Sequence, residues 1–273
     1  MTARRATTQN NFRIFLLTFL ESSHCLKCLS PVTLIKDVVR EVELCIGISS
    51  DLMHISFIDK GDLHRDLSLT DSNIVNESSI LVTTSRPLET LFKSIVTGDI
   101  KLIINQGLSE FFPYPTGFLI NISVKQRQEF IKRRLNTALL FSSGLGLANI
   151  CNTLICLGAN INATTKLGRT ALHIAAAHSS SPSSSFEEVI KSLVERGANM
   201  KLKDAFGETP LDVAKRYGNR HTVYLLQRLN WLQRCQSAKP QYLDVPLKTF
   251  QMCDSANPKW RRNINGQIYL QAN

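Results

Sequence analysis

Few residues of this 273-residue chain have the types and spacing that catalysis or metal binding requires. Cys25 and Cys28 have the separation of redox and zinc pairs, but on a predicted strand side chains at this separation point to opposite faces. Cys151 and Cys156 lie on a predicted helix, which turns their side chains about 140° away from each other. The sequence contains no glycine-rich phosphate loop, histidine–glutamate zinc helix or nucleophile elbow. We therefore predict that the chain is not an enzyme and holds no cofactor and no metal.

The composition is that of a globular chain whose segments differ in charge. Apolar residues make up 43% of the chain and charged residues 20%, and no apolar run approaches the roughly 20 residues that cross a bilayer. Residues 1–87 carry 9 basic and 10 acidic side chains, residues 88–230 carry 17 and 10, and residues 231–273 carry 6 and 2. Seven cysteines are an odd number in a chain long enough to fold without disulfides. We therefore expect reduced thiols, a cytoplasmic or nuclear location and no membrane span.

The first part of the chain changes from strand to helix periodicity and back again. Between residues 33 and 48, apolar side chains recur every three or four positions, which predicts a helix that is capped by Thr33 and ended by Gly47. Runs rich in apolar and β-branched residues predict strands. These strands are expected at residues 12–19, 24–29, 52–58 and 80–84.

Residues 13–85 resemble ubiquitin in this order of elements. The segment from Leu69 to Ile80 is similar to the turn and final strand of that family almost residue by residue. The resemblance implies a β-grasp fold in which ten apolar side chains form the core between sheet and helix. These residues are Ile14, Leu16, Leu26, Val38, Val42, Ile55, Leu69, Ile74, Ile80 and Val82.

The differences from ubiquitin bear directly on function. The exposed tail that ends in two glycines is replaced by residues 84–87, which run into more protein, so the resemblance implies a domain that is not conjugated. Phe19, Ser56 and Thr83 occupy the positions of the three apolar side chains that form the family's recognition patch. The loss of two apolar side chains removes about 1.5 to 3 kcal/mol of burial each on docking. A standard ubiquitin receptor is therefore not the expected partner.

The middle of the chain contains a repeated pattern that begins with threonine. Its three variants lie at residues 137–143, 170–176 and 209–214. The first two variants start 33 residues apart and the last two start 39 apart, because a serine-rich insert around residues 179–185 supplies the additional residues. A period in this range indicates stacked helix pairs.

These segments resemble ankyrin repeats, and the resemblance covers roughly residues 88–230. It implies that a threonine caps the first helix of each unit and that Gly158 and Gly197 end second helices. It also implies that His173 hydrogen-bonds the backbone of adjoining loops and has no catalytic role. The predicted fold is thus an α+β N-terminal β-grasp (ubiquitin-like) domain followed by an all-α ankyrin-repeat solenoid.

The predicted domain boundaries follow from these two resemblances. Residues 109–135 are an insertion that we expect to be irregular before Gln126 and helical after it, and the C-terminal segment has neither period. The boundaries are a disordered N-terminus at 1–11, a ubiquitin-like domain at 12–86, an ankyrin-repeat domain at 88–230 (degenerate repeat 88–108, insertion 109–135, repeats 136–165, 166–204 and 205–230), and a largely disordered tail at 231–273.

Two binding modules without a catalytic constellation predict a non-enzymatic protein–protein interaction adaptor. In ankyrin repeats the loop tips and first helices of the concave face are not used in stacking, so they are free to bind a partner protein. Carried over by position, the partner-binding residues are Lys166, Leu167, Arg169, His178, Phe206, Arg216 and Tyr217. We call these seven the concave-face residues. The resemblance of residues 12–86 to ubiquitin implies that a second protein docks on this domain, which we call the head.

Two other functions remain open. The positive charge of residues 88–273 favours a basic-surface binder of nucleic acid or anionic membrane, although no nucleic-acid motif accompanies the charge and nucleic acid is the less favoured partner. The ubiquitin resemblance by itself implies a regulatory subunit or substrate adaptor of the ubiquitin–proteasome system. Salt titration separates the basic-surface hypothesis from the adaptor hypothesis, because binding to nucleic acid weakens steeply with salt.

Overall fold

The computed structural model describes residues 12–20, 23–57, 61–108, 123–178, 184–237, 260–262 and 268–270. Its described residues divide into two compact units, one that ends at Thr222 and one that begins at Val223. Strands and one helix come first along the chain, and a succession of helix pairs follows. Among the described residues, no helix is both long and apolar enough to cross a membrane.

Five strands of the described N-terminal part form a mixed sheet. The strands are β1 Phe12–Thr18, β2 Ser23–Leu29, β3 Met53–Phe57, β4 Gly61–Asp62 and β5 Ser79–Thr84. Their order across the sheet is β2-β1-β5-β3-β4, with β1 and β5 parallel and the other neighbours antiparallel. The four predicted strands agree with the observed ones to within one residue at each end. Strand β4 was not predicted, because Gly61 and Asp62 carry no apolar alternation.

Helix α1 (Ile35–Ile46) packs on one face of this sheet. All ten apolar side chains predicted for the core are buried. Gly47 ends the helix as predicted, with a φ of +77° and its N–H donated to the Glu43 carbonyl. The predicted cap is wrong: Leu34 occupies the cap position, and the Thr33 hydroxyl accepts instead from the Ser30 N–H. Thr33 therefore stabilises the turn before the helix.

The rest of the described chain is largely helical. The helices are α2 Arg86–Thr97, α3 Ile100–Asn105, α4 Val124–Gly144, α5 Ala148–Cys156, α6 Ala171–His178, α7 Ser184–Glu195, α8 Pro210–Arg216 and α9 Arg220–Ser237. Gly158 and Gly197 follow second helices with φ values of +102° and +96°, as predicted from the left-handed position that ends a helix. Each pair therefore ends where the sequence register indicated.

The starts of α8 and α4 show which capping residues determine where a helix begins. Thr209 accepts a hydrogen bond from the Asp212 N–H, and Pro210 occupies the first helical position, so the predicted start of α8 is confirmed. The corresponding prediction for Thr137 is wrong, because Thr137 lies inside α4 and its hydroxyl donates to the Arg133 carbonyl. Helix α4 begins instead at Ser123, which forms a reciprocal cap with Gln126. The helical end of the insertion and the first helix of the next unit are therefore continuous.

Several predictions fall outside the described residues in whole or in part. The disordered N-terminus, the irregular segment at 109–122 and the serine-rich residues 179–183 lie outside them, as do 238–259, 263–267 and 271–273 of the predicted disordered tail. Within that tail, α9 continues to Ser237. Strands β6 (Trp260–Arg262) and β7 (Ile268–Leu270) pair antiparallel.

Candidate functional site

The concave-face residues lie at matching places in two successive units. Lys166, Leu167 and Arg169 are in the turn before α6, and His178 ends that helix. Phe206 is in the turn before α8, and Arg216 and Tyr217 are at the end of α8. Five of these residues contact α1 through their side chains, and the main-chain N–H of Lys166 donates to the Ser49 hydroxyl in the turn that follows α1. The Leu167 carbonyl accepts instead from the Ala205 N–H of the next turn.

Glu41 is held by two side chains from the end of α8. The Arg216 Nη1 donates to Glu41 Oε1 over 2.8 Å, and the Tyr217 hydroxyl donates to Glu41 Oε2. Burial and the neighbouring Glu41 carboxylate raise the pKa of Tyr217, so the phenol remains a donor. Arg216 also lies 3.2 Å from Glu208 Oε2 as an ion pair. Arg216 therefore joins one carboxylate of α1 to one of its own repeat.

Arg169 is a fully buried cation at the centre of the contact. Its Nη1 donates to the Arg40 carbonyl over 2.5 Å, and its Nε donates to Asp204 Oδ2 over 3.5 Å. The Arg40 guanidinium lies 3.2 Å from the centre of the Phe206 ring, an attractive cation–π contact. Two arginines, one from each side, thus have carbonyl, carboxylate and aromatic partners, while Arg169 Nη2 and Arg40 Nε are buried without a hydrogen-bond partner among the described residues.

Glu43 is a buried carboxylate that the sequence did not assign to this site. Its Oε1 accepts from the Thr165 hydroxyl over 2.5 Å, and its Oε2 accepts from the Ser50 N–H over 2.8 Å. Burial raises the pKa of Glu43, while these hydrogen bonds and the charge of Arg169 act in the opposite direction. The raised pKa shows that the desolvation of this carboxylate is only partly offset.

Leu44 is buried on the side of α1 that faces away from the sheet. It follows the core residue Val42 by two positions, a rotation of about 200° on a helix, and yet it is fully buried. Its carbonyl accepts from Nε2 of His178 over 2.9 Å, and the His178 ring stacks on Phe186. The outer face of α1 therefore contributes an apolar side chain as well as charges.

Two glycines bring the ends of α1 and α4 into backbone contact. A Cβ atom at Gly47 would lie 2.6 Å from the Leu140 carbonyl oxygen, and one at Gly144 would lie 2.9 Å from the Ile46 carbonyl oxygen. Real Cβ atoms do not approach this closely, so either position excludes a larger residue unless the backbone moves. This contact fixes how deeply α1 lies against the repeats.

A column of three aromatic rings forms a second attachment. The Phe19 ring stacks on Phe92 of α2 at 5.8 Å, and Phe92 contacts Phe141 of α4 at 4.3 Å between ring centres. Phe19 is one of the three residues that matched the apolar recognition patch. Its ring is therefore used, at least in part, within the chain.

The remaining candidates for catalysis or metal binding lie in surroundings that fit a structural role. His173 is fully buried; its Nδ1 accepts from the Thr170 N–H, and its Nε2 donates to the Glu208 carbonyl, so its predicted bonding to adjoining loops is confirmed. Burial lowers the pKa of His173, which keeps the ring neutral. Within the described ranges, no group of three or more histidine, cysteine and acidic side chains is placed to hold a metal.

The sequence analysis selected the concave-face residues for an external partner and did not predict their contact with α1. The missed residues are Glu41, Glu43, Leu44, Gly144 and Thr165. Two signals pointed towards them. The first is charge: the head has one acidic side chain in excess, while residues 88–230 have seven basic side chains in excess. The second is Leu44, an apolar residue that lies outside the helical face formed by Val38 and Val42.

Comparison with known proteins identifies the repeat segment. Residues 139–230 match the family model of ankyrin repeats, in three copies. A 77-residue stretch is 38% identical to an ankyrin repeat protein of Rickettsia bellii (strain RML369-C), and covers 28% of this chain and 39% of that relative. The aligned stretch thus spans about two fifths of the length of that relative. Residues 139–230 of this chain are thus similar to ankyrin repeats.

Proposed function

We propose that this protein is a non-enzymatic adaptor that binds a protein ligand through the concave-face residues of its ankyrin repeats. One observation carries the proposal: five of these described residues already hold an α-helix, namely α1, and a sixth binds the turn that follows it. Arg216 and Tyr217 bind the two oxygens of Glu41, an arrangement that we call the carboxylate clamp. The buried Arg169 guanidinium and the Phe206 ring under Arg40 complete the contacts. Arginine and aromatic side chains of this kind dominate the binding energy of protein interfaces.

The proposal includes a ubiquitin-like head that is not conjugated to other proteins. The order of the strands, the parallel β1–β5 pair and the ten buried core residues support this assignment. Strand β5 ends at Thr84 and α2 begins at Arg86, so the chain continues where a conjugated domain would end. On the resemblance alone, we propose a link to the ubiquitin pathway and the docking of a second protein on the head.

The proposed domains are those of the sequence prediction, residues 12–86 and 88–230. We propose a reducing location, cytoplasm or nucleus. The odd number of cysteines supports it, as does burial of Cys151, which accepts or donates hydrogen bonds with Ser142 and Ser143.

Substitution of both aromatic concave-face residues tests the proposal. Proximity labelling in cells should lose a defined set of partner proteins in the Phe206→Ala/Tyr217→Ala variant, because two anchors of the surface are removed. The matched control is Tyr224→Ala/Trp231→Ala, which removes two aromatic side chains that are 63% and 46% exposed. If the first variant retains every partner that the wild type labels, the concave-face proposal is wrong.

A further inference from the structure

Resting on the proposed function, we propose that α1 is a built-in, exchangeable ligand of the concave face and that the external partner is an acidic α-helix. The partner helix should carry the surface pattern of α1. That pattern is a carboxylate at the position of Glu41, a second carboxylate at Glu43, a leucine at Leu44 and a glycine at Gly47. The head would then close this binding face until such a helix replaces α1.

Charge complementarity defines the kind of helix that fits. Of the concave-face cations, Arg216 binds Glu41 and Arg169 attracts Glu43. The one cation that α1 brings to this contact in the described residues, Arg40, lies on the Phe206 ring. The Coulomb attraction between Arg169 and Glu43 acts within a buried contact, where charges are less screened than at the surface. A neutral or basic helix would leave the buried Arg169 without this attraction. The surface therefore selects helices that carry carboxylates at the positions of Glu41 and Glu43.

The concave face keeps its own partners when α1 leaves. Arg169 retains Asp204 at 3.5 Å, and Arg216 retains Glu208 at 3.2 Å. His178 retains its stacking contact with Phe186. Because these side chains are held within the repeats, the empty surface does not have to rearrange or leave a buried cation without a carboxylate. A receptor surface that is organised before binding loses less entropy when its ligand docks.

The docked state carries a penalty that release removes. When α1 leaves the concave face, Glu43 gains hydration at the oxygen that Thr165 covered, while its hydrogen bond from the Ser50 N–H remains within the head. Its raised pKa agrees with a burial that its two hydrogen bonds do not fully offset. Contacts between domains of one chain resemble transient interfaces more than they resemble a hydrophobic core. The polar character of this contact agrees with an attachment that opens and closes.

The chain has a hinge at the place that such opening needs. Ser85 is the single residue between β5 and α2, and a few residues at the ends of elements absorb the rotation in hinge motions. Phe92 contacts Phe141 and stays with the repeats, whereas Phe19 moves with the head. Rotation at Ser85 therefore carries the whole sheet and α1 away from the concave face without breaking the core of the head.

A binding experiment on the full chain tests the exchange. The probe is a fluorescein-labelled peptide with blocked ends and the sequence of residues 33–49, and its binding is followed by anisotropy. Gly47→Ala weakens the docking of α1 without changing any concave-face residue, and Gly98→Ala is its control, because both glycines end helices at similar φ and no described atom lies within 4 Å of a Cβ at Gly98. We expect the Gly47→Ala chain to bind the probe about tenfold more tightly than wild type or Gly98→Ala, because the closed state lowers apparent affinity.

Two further arms test the chemistry. Addition of Arg216→Glu to the Gly47→Ala chain should weaken probe binding about tenfold or more, because the clamp on Glu41 becomes repulsive. A probe with Glu41→Lys and Glu43→Lys should not bind the Gly47→Ala chain. If that basic probe binds as tightly as the acidic one, the requirement for an acidic helix is wrong.

The outcomes also separate this inference from the proposed function. Equal probe binding to wild type and Gly47→Ala, or no binding to either, overturns the exchange. In that case the Phe206→Ala/Tyr217→Ala labelling result still decides whether the concave face binds a partner at all. A circular-dichroism melt of each variant shows whether the helices and the sheet remain folded, and a second opening variant, Glu41→Lys in the chain, repeats the comparison without a glycine substitution.

Discussion

The two faces of helix α1 are buried in different ways. The inner face carries Ile35, Val38 and Val42, which pack on the sheet as an apolar stripe. The outer face carries Glu43 and Leu44, which are also buried, and here Glu43 accepts from the Thr165 hydroxyl and the Leu44 carbonyl accepts from His178. Apolar burial alone explains the first face. The second needs partners placed at defined distances and angles, so it specifies one orientation.

This difference indicates how each face responds to change. An apolar contact loses free energy in proportion to the volume removed, and its loss destabilises the head itself. A polar contact between two parts of the chain loses free energy when a partner is missing or when the backbones cannot approach, and its loss should separate the parts while each remains folded. Four sets of substitutions sharpen or break the comparison.

The largest effect is expected on the inner face. Ile35→Ala should lower the free energy of unfolding by about 2 to 5 kcal/mol, because it leaves a cavity between sheet and helix. Lys36→Ala, at the exposed neighbouring position, should change it by less than about 0.5 kcal/mol. Urea denaturation of the full chain measures both. Similar losses for the two variants would show that the inner face is not the core of the head.

The next effect belongs to the backbone contact between α1 and α4. Ala at Gly47 or at Gly98 should each introduce a strain of about 1 to 2 kcal/mol, because both glycines have left-handed backbone angles. Gly47→Ala should lose about 1 to 3 kcal/mol more, because its Cβ would overlap the Leu140 carbonyl. The difference between the urea midpoints of the two variants measures the destabilisation that the overlap alone causes. Equal midpoints would mean that α1 does not lie this close to α4.

A smaller effect is expected for the carboxylate clamp. A double-mutant cycle on Glu41→Ala and Arg216→Ala should give a coupling of about 1 kcal/mol, near the upper end for partly exposed pairs. The Glu129–Arg133 pair is a control on one helix, with side chains 61% and 77% exposed, and should couple by about 0.3 to 0.5 kcal/mol. High salt should reduce both coupling energies, and thermal unfolding at low and high salt measures this change. A clamp that couples no more than the control contributes little to docking.

The smallest expected change at any single pH concerns Glu43. Its pKa is raised in the folded chain, so the folded state keeps a proton that the unfolded state has lost, and stability falls as pH rises above the ordinary value of 4.5 towards the folded pKa. Glu43→Gln should lose this decline, because an amide can accept from the Ser50 N–H and donate to Thr165. Stability of both chains from pH 4 to pH 7 checks it. His173, whose pKa is lowered, contributes the opposite slope in both chains and cancels in their difference.

Much of the fold follows from local pattern. Period-two and period-three-to-four spacing predicted four strands and α1, because the same residues that set these periods are buried on one side only. Strand β4 and the continuous helix α4 were not predicted. A two-residue strand has no period to read, and the register of α4 is set by the Ser123 cap rather than by Thr137.

The candidate site could be predicted only from one side. Arg169, Arg216 and Phe206 were selected by their position in the repeat, on the expectation that stacking leaves these side chains unused. Arg169 departs from that expectation, because it is fully buried and donates to Asp204. Glu43 and Gly144 could not be assigned, since a buried carboxylate and a helical glycine have meaning only when the opposite surface is known. Complementary net charge of the two regions was the one long-range signal in the sequence.

The connection at Ser85 has a consequence for the lifetime of the head. Proteolytic enzymes that remove a domain need several residues of extended chain to enter their cleft, and this junction passes from strand to helix through a single residue. The N-terminal domain should therefore stay covalently joined to the repeats from synthesis to degradation. Every copy of the repeat surface is then synthesised together with one copy of the helix that covers it, at a one-to-one ratio.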